Sequence, residues 1–181
     1  MPAPHNPTRY GEIWPDKQVQ VLHDEIVRLG LGGNPDTVLS GGWAWHFMSP
    51  DGHVEYKHLH DHKDIDVIVR RVCATEVIIR LRTEGYVREK TRHDGKTDTP
   101  FYRFTKDVDG VHVIIDLFVK DTSPIFTRAM YVMNPDALLG LYDEGIHASN
   151  MCIAVQAARK LRANGIWPSG HESLVQLPSP E

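Results

Sequence analysis

The sequence predicts an α+β (α/β) domain in which helices pack on a small mixed β-sheet. Three observations lead there. Apolar residues recur at helical spacing over residues 16–29. Residues 64–70 alternate with strand periodicity. Three further strand-like runs lie between 86 and 119, and Asp109-Gly110 joins the last two. A chain of 181 residues, 41% hydrophobic and 24% charged, suits one globular domain and can bury a core without a disulfide or structural metal.

Pro15 and Asp16 start the first helix, Val19, Leu22, Ile26 and Leu29 carry its apolar stripe, and the run from Gly30 to Pro35 ends it. Thr37, Val38 and Leu39 form a short strand that runs into Ser40, Gly41 and Gly42, and residues 43–48 then make a helical turn or two. Residues 49–62 read as a loop around Pro50, Asp51 and Gly52. In the next strand Ile65, Val67 and Val69 alternate with Asp64, Asp66, Ile68 and Arg70. Residues 75–84 form a helix closed by Gly85, and strands follow at 86–91, 101–106 and 111–119, with a two-residue hairpin turn at Asp109-Gly110. Pro135 opens a helical region, and residues 150–163 form a longer helix before Gly165. The whole is one domain, with a core at about 16–133, C-terminal helices at about 135–165 and an irregular tail at 168–181.

With a net charge of −4, the chain has no global field to attract nucleic acid. Between Arg80 and Lys106, however, eight basic residues face four acidic ones. That local excess reads as a solvated hairpin or as a surface for a polyanion. Cys73 and Cys152 have no metal-ligand spacing and read as reduced core thiols. Residues 1–9 are polar and unlike a signal peptide, and no apolar run approaches a membrane span, so a cytoplasmic protein is expected.

The chemistry concentrates in carboxylates. Asp64 and Asp66, two apart at the mouth of a strand, point the same way and repel each other unless a cation lies between them. Hard divalent ions such as Mg²⁺ take oxygen ligands of this kind. Asp116 sits inside the otherwise apolar run from Val113 to Val119, where a charge is rarely buried unless paired or metal-bound. Its two readings are a third ligand beside Asp66 or a partner for an arginine. Gly41 and Gly42, between a strand and a helix, let the backbone approach a phosphate, and Ser40 adds a hydroxyl.

Ser40-Gly41-Gly42-Trp43-Ala44, followed by His62-Lys63-Asp64-Ile65-Asp66-Val67, resembles the polymerase-beta-like nucleotidyltransferase superfamily, and within it the small lincosamide and aminoglycoside nucleotidyltransferases. The resemblance covers about residues 38–69, with Asp116 as the expected third carboxylate. It implies a minimal nucleotidyltransferase fold with a C-terminal helical portion. It also implies transfer of a nucleoside monophosphate from an NTP, with ATP the expected one, to a hydroxyl acceptor with loss of pyrophosphate. Ser40, Gly41 and Gly42 would hold the triphosphate, with His62 and Lys160 as further phosphate contacts. Asp64, Asp66 and Asp116 would hold two Mg²⁺ ions, and Asp116 would take the proton of the attacking hydroxyl. The implied acceptor is a small molecule such as an aminoglycoside or lincosamide, and a toxin-like enzyme acting on RNA or protein is the alternative. The chain departs from the antibiotic-modifying pattern at Trp45-His46, where those enzymes carry an aspartate, and in its histidine-rich loop. Both departures bear on the acceptor.

That loop supports a rival. His58, His60 and His62 alternate in step with Asp64 and Asp66, and imidazoles with carboxylates can bind zinc. The chain would then be a metallohydrolase, or a metal- or nucleotide-binding module without catalysis. Trp14, Trp43, Trp45 and Trp167 read as core or pocket wall, with Trp45 the candidate to stack on a base or acceptor. Arg159 and Lys160 read either as a solvated helix face or as phosphate contacts.

Overall fold

The computed structural model describes residues 15–48, 63–92, 94, 100–121, 125–127, 130–133 and 137–138, with the backbone alone for 125–127. Helix α1 (Asp16–Leu29) buries Leu22, Ile26 and Leu29 along one stripe. It ends where Gly30 turns left-handed at φ 69°. The amide of Leu31 then donates to Ile26 O and that of Gly30 to Val27 O, a closure that uses carbonyls the helix leaves open. Helix α3 (Ala74–Thr83), entered through the 3₁₀ turn Arg71–Cys73, closes in the same way. There Gly85 has φ 86°, and Tyr86 and Gly85 donate to Leu81 O and Arg82 O.

Between them lie β1 (Thr37–Ser40), α2 (Gly41–Met48) and β2 (Ile65–Arg70). Beyond α3 come β3 (Val87–Glu89), β4 (Phe101–Val108), β5 (Val111–Lys120), β6 (Ile125–Thr127) and β7 (Tyr131–Met133). The seven strands form one sheet in the order β3-β4-β5-β2-β1-β7-β6. It is mixed: β2 runs parallel to β5 and β1 parallel to β7, while the other pairings are antiparallel. Asp109 and Gly110 both have positive φ, 50° and 80°, the geometry of a two-residue hairpin turn that matches strand twist.

The α+β architecture agrees with the sequence reading, and several details differ. Strands β6 and β7 were not expected; three residues each are too few for a period to register. Helix α2 begins at Gly41, so the glycine pair forms its first turn instead of preceding it. That helix is apolar on nearly every side and packs between the sheet and α1. Trp45 is consequently 1% exposed and belongs to the core, with no face offered to a base or acceptor. Cys73, expected in the core, is a half-buried free thiol in the 3₁₀ turn. Residues 137–138 are helical after Pro135. The loop with His58, His60 and His62, the helix expected at 150–163 with Lys160, Cys152 and the tail lie outside the described residues. No helix among those described is long and apolar enough to cross a membrane.

Candidate active site

The site is built from one transverse row of the sheet. Ser40 on β1 faces Asp66 on β2, Asp66 faces Asp116 on β5, Asp116 faces Arg103 on β4, and Arg103 faces Glu89 on β3. Registered partners on a pleated sheet project to the same side. The flanking residues Ile65, Val67, Ile115 and Leu117 turn the other way and are fully buried, which anchors the row from beneath. Asp64 lies one residue before β2 and shares the side of Asp66.

One carboxylate oxygen from each of Asp64, Asp66 and Asp116 lies within 4.8 Å of the others. Asp64 and Asp66 are half-buried, and Asp116 is 4% exposed. Ligand oxygens across one octahedral Mg²⁺ are about 4 Å apart, and somewhat more when they serve two ions about 3.5–4 Å apart. An all-oxygen set with this spacing fits hard divalent cations. Among the described residues it is the only such group, and it contains no histidine.

Gly41 shapes the same corner. Its φ is +59°, and a Cβ there would lie 2.2 Å from Asp66 Oδ2. A side chain at this position would therefore displace the carboxylate. The glycine lets the first turn of α2, whose early amides lack helical acceptors, press directly onto Asp66. Gly42 follows, buried in the same turn. Ser40 is placed differently: it is 8% exposed, and its hydroxyl donates to Met133 Sδ at 3.6 Å, so it lines the floor. His62 and Lys160 lie outside the described residues.

Arg103 was not singled out from the sequence. Its Nε donates to Asp116 Oδ1 and its Nη2 to Asp116 Oδ2, each at 2.8 Å. The pair with Asp116, reinforced by Asp64 and Glu89, holds the guanidinium even more firmly protonated than usual. Asp116 thus pairs with an arginine, as one of its two sequence readings has it, and also lies within the carboxylate cluster. A signal for this was present. The two-residue turn fixes hairpin register, and five steps back from Val108 and forward from Val111 bring Arg103 opposite Asp116.

Other basic residues of the 80–106 stretch are also occupied. Arg80 donates to Leu29 O, Arg88 pairs with Asp94 and lies over Tyr102, and Lys106 donates to Glu84 O.

No family model matches the chain, and no curated protein matches it. Among solved structures, it is similar to the Cid1 poly(U) polymerase at 17% identity and TM-score 0.39, over 62% of this chain and 34% of that one. Cid1 in complex with the UTP analog UMPNPP is similar at 16% identity and the same TM-score of 0.39. ANT(2")-Ia in complex with adenylyl-2"-tobramycin is similar at 15% identity and TM-score 0.47, over 83% of this chain and 92% of that one. The chain thus spans about a third of the length of the Cid1 chains. Likeness this distant assigns neither an activity nor a residue role to this chain.

Proposed function

We propose that this chain is a divalent-metal-dependent nucleotidyltransferase that moves a nucleoside monophosphate from an NTP to a hydroxyl and releases pyrophosphate. The observation that carries the reading is the convergence of Asp64, Asp66 and Asp116 from β2 and β5, with Gly41 packed against Asp66. In this reading Asp64 and Asp66 hold the cation that accompanies the triphosphate. Asp116 completes a second cation position and takes the proton of the attacking hydroxyl. The amides at the start of α2, opened by Gly41 and Gly42, receive the triphosphate, while Ser40 supports the turn from below. His62, which adjoins the acidic pair in sequence, and Lys160, by resemblance, stay proposed phosphate contacts. Two Mg²⁺ ions, when bound, would polarise the α-phosphate and stabilise the entering and leaving oxygens. The protein's own share is position and fixed charge.

ATP is the proposed donor and a small hydroxyl compound of the aminoglycoside or lincosamide kind the proposed acceptor. Of the eight basic residues that support an RNA or protein acceptor as the alternative, four, Arg80, Arg88, Arg103 and Lys106, are engaged within the fold. The test incubates the purified chain with each labelled NTP, Mg²⁺ and a panel of small hydroxyl acceptors, RNA and protein. Pyrophosphate release that requires one acceptor is expected. NTP binding with no turnover on any acceptor would leave a binding module and overturn the enzyme reading.

A further inference from the structure

The carboxylate row brings three negative charges together, and Arg103 forms a two-bond fork with one of them, Asp116. That contact uses both oxygens of Asp116, the most deeply buried of the three, and the guanidinium also feels Asp64. An arginine fork across a carboxylate takes one lone pair of each oxygen in the plane that a chelating cation would use. We propose that Arg103 is an internal counter-ion that stands in for a divalent cation at Asp116, permits the cluster to fold without metal, and competes with the incoming ion. This rests on the cation-site reading of the three aspartates.

Two effects follow from electrostatics. A cation approaching Asp116 meets a fixed positive charge a few ångströms away and must displace at least one Arg103 hydrogen bond, so affinity is held down. Without Arg103, the buried Asp116 loses the fork on both its oxygens while Asp66 faces it across adjacent strands, so the metal-free fold weakens. Arg103 is therefore a positioning residue that sets how much cation the site demands, and its charge matters more than its shape.

The experiment measures Mn²⁺ binding by electron paramagnetic resonance, and thermal midpoints with and without Mn²⁺, in the full chain without nucleotide. Arg103→Gln and Arg103→Met are expected to bind Mn²⁺ about tenfold more tightly than wild type. Their metal-free midpoints should be lower and should rise more on adding Mn²⁺. Arg103→Lys, which keeps the charge but loses the fork, should stay within about twofold of wild type. A neutral variant that folds only with Mn²⁺ present supports the proposal, because the cation then replaces the guanidinium; one that stays unfolded with Mn²⁺ overturns it. Equal or weaker Mn²⁺ binding by the neutral variants, or equal tightening by Arg103→Lys, also overturns it. Asp66→Asn separates the two levels. If it binds Mn²⁺ as wild type does, the cation site itself fails and the proposal with it. If it loses Mn²⁺ while the neutral Arg103 variants are unchanged, the role of Arg103 alone fails.

Discussion

Asp66 touches three features of the site: it faces Asp116 across the sheet, shares its side with Asp64 and lies under Gly41. Replacing it with asparagine preserves size but removes a charge that, in the proposed mechanism, offsets two cations. Pyrophosphate release by Asp66→Asn should fall by about two to three orders of magnitude. The paired His58/His60 replacement, assayed beside it with Mg²⁺ and then Zn²⁺, should change the rate far less. If activity follows the histidines and zinc instead, the zinc reading takes over. Gly41→Ala is a sharper probe than Gly42, because its methyl group would enter the position of Asp66 Oδ2. The left-handed backbone alone penalises alanine by about 1–2 kcal/mol. This variant should lose both nucleotide and Mn²⁺ affinity in titrations, while circular dichroism still reports a folded chain. Unchanged affinity would remove the glycine turn from the site.

At the level of elements, α1 and α3 are joined by a polar knot with the buried Glu25 at its centre. Glu25 accepts two hydrogen bonds from Arg28 at 2.8 Å each and one from the Tyr86 hydroxyl, while Arg28 also pairs with Glu84 at the end of α3. The Arg28 bonds hold the Glu25 carboxyl below its ordinary value against the opposing effect of burial, and Tyr86 adds to them. A depressed carboxyl stabilises the fold above its unfolded pKa of about 4.5, and that stability disappears as pH falls through the lower folded value. Acid titration of the urea midpoint should therefore show a loss below about pH 4.5 that Glu25→Gln flattens. A mutant with the wild-type acid slope would show that Glu25 contributes nothing to it. Tyr86→Phe removes one donor from a buried acceptor and should reduce stability by about 1–2 kcal/mol at neutral pH.

For the whole molecule, the site is only as firm as the layer under it. Trp43 is fully buried on α2, with its ring near His23 of α1 and tilted against those of His46 and Phe47. It ties both helices to the sheet that presents the carboxylates. Trp43→Ala should lower stability by about 3–5 kcal/mol, a large share of the roughly 5–15 kcal/mol of a typical domain. The fall should appear as a shift in urea midpoint with little change in slope. A shift equivalent to less than about 1 kcal/mol would mean that the helix layer repacks without it.

The sequence by itself determined the local features: the glycine-closed helices, the hairpin at Asp109-Gly110, the strand carrying Asp66, and the anomaly of one aspartate in an apolar strand. Each depends on neighbours a few residues apart, where periodicity and backbone freedom are decisive. The first α2 turn and the short strands β6 and β7 were not legible, because packing against distant segments decides them. The parallel pairing of β2 with β5, separated by α3 and a hairpin, likewise belongs to tertiary structure, and that pairing sets Asp66 beside Asp116. Arg103 lies between the two cases. Hairpin register places it opposite Asp116, but only the assembled sheet sets that pair within the cluster of three carboxylates.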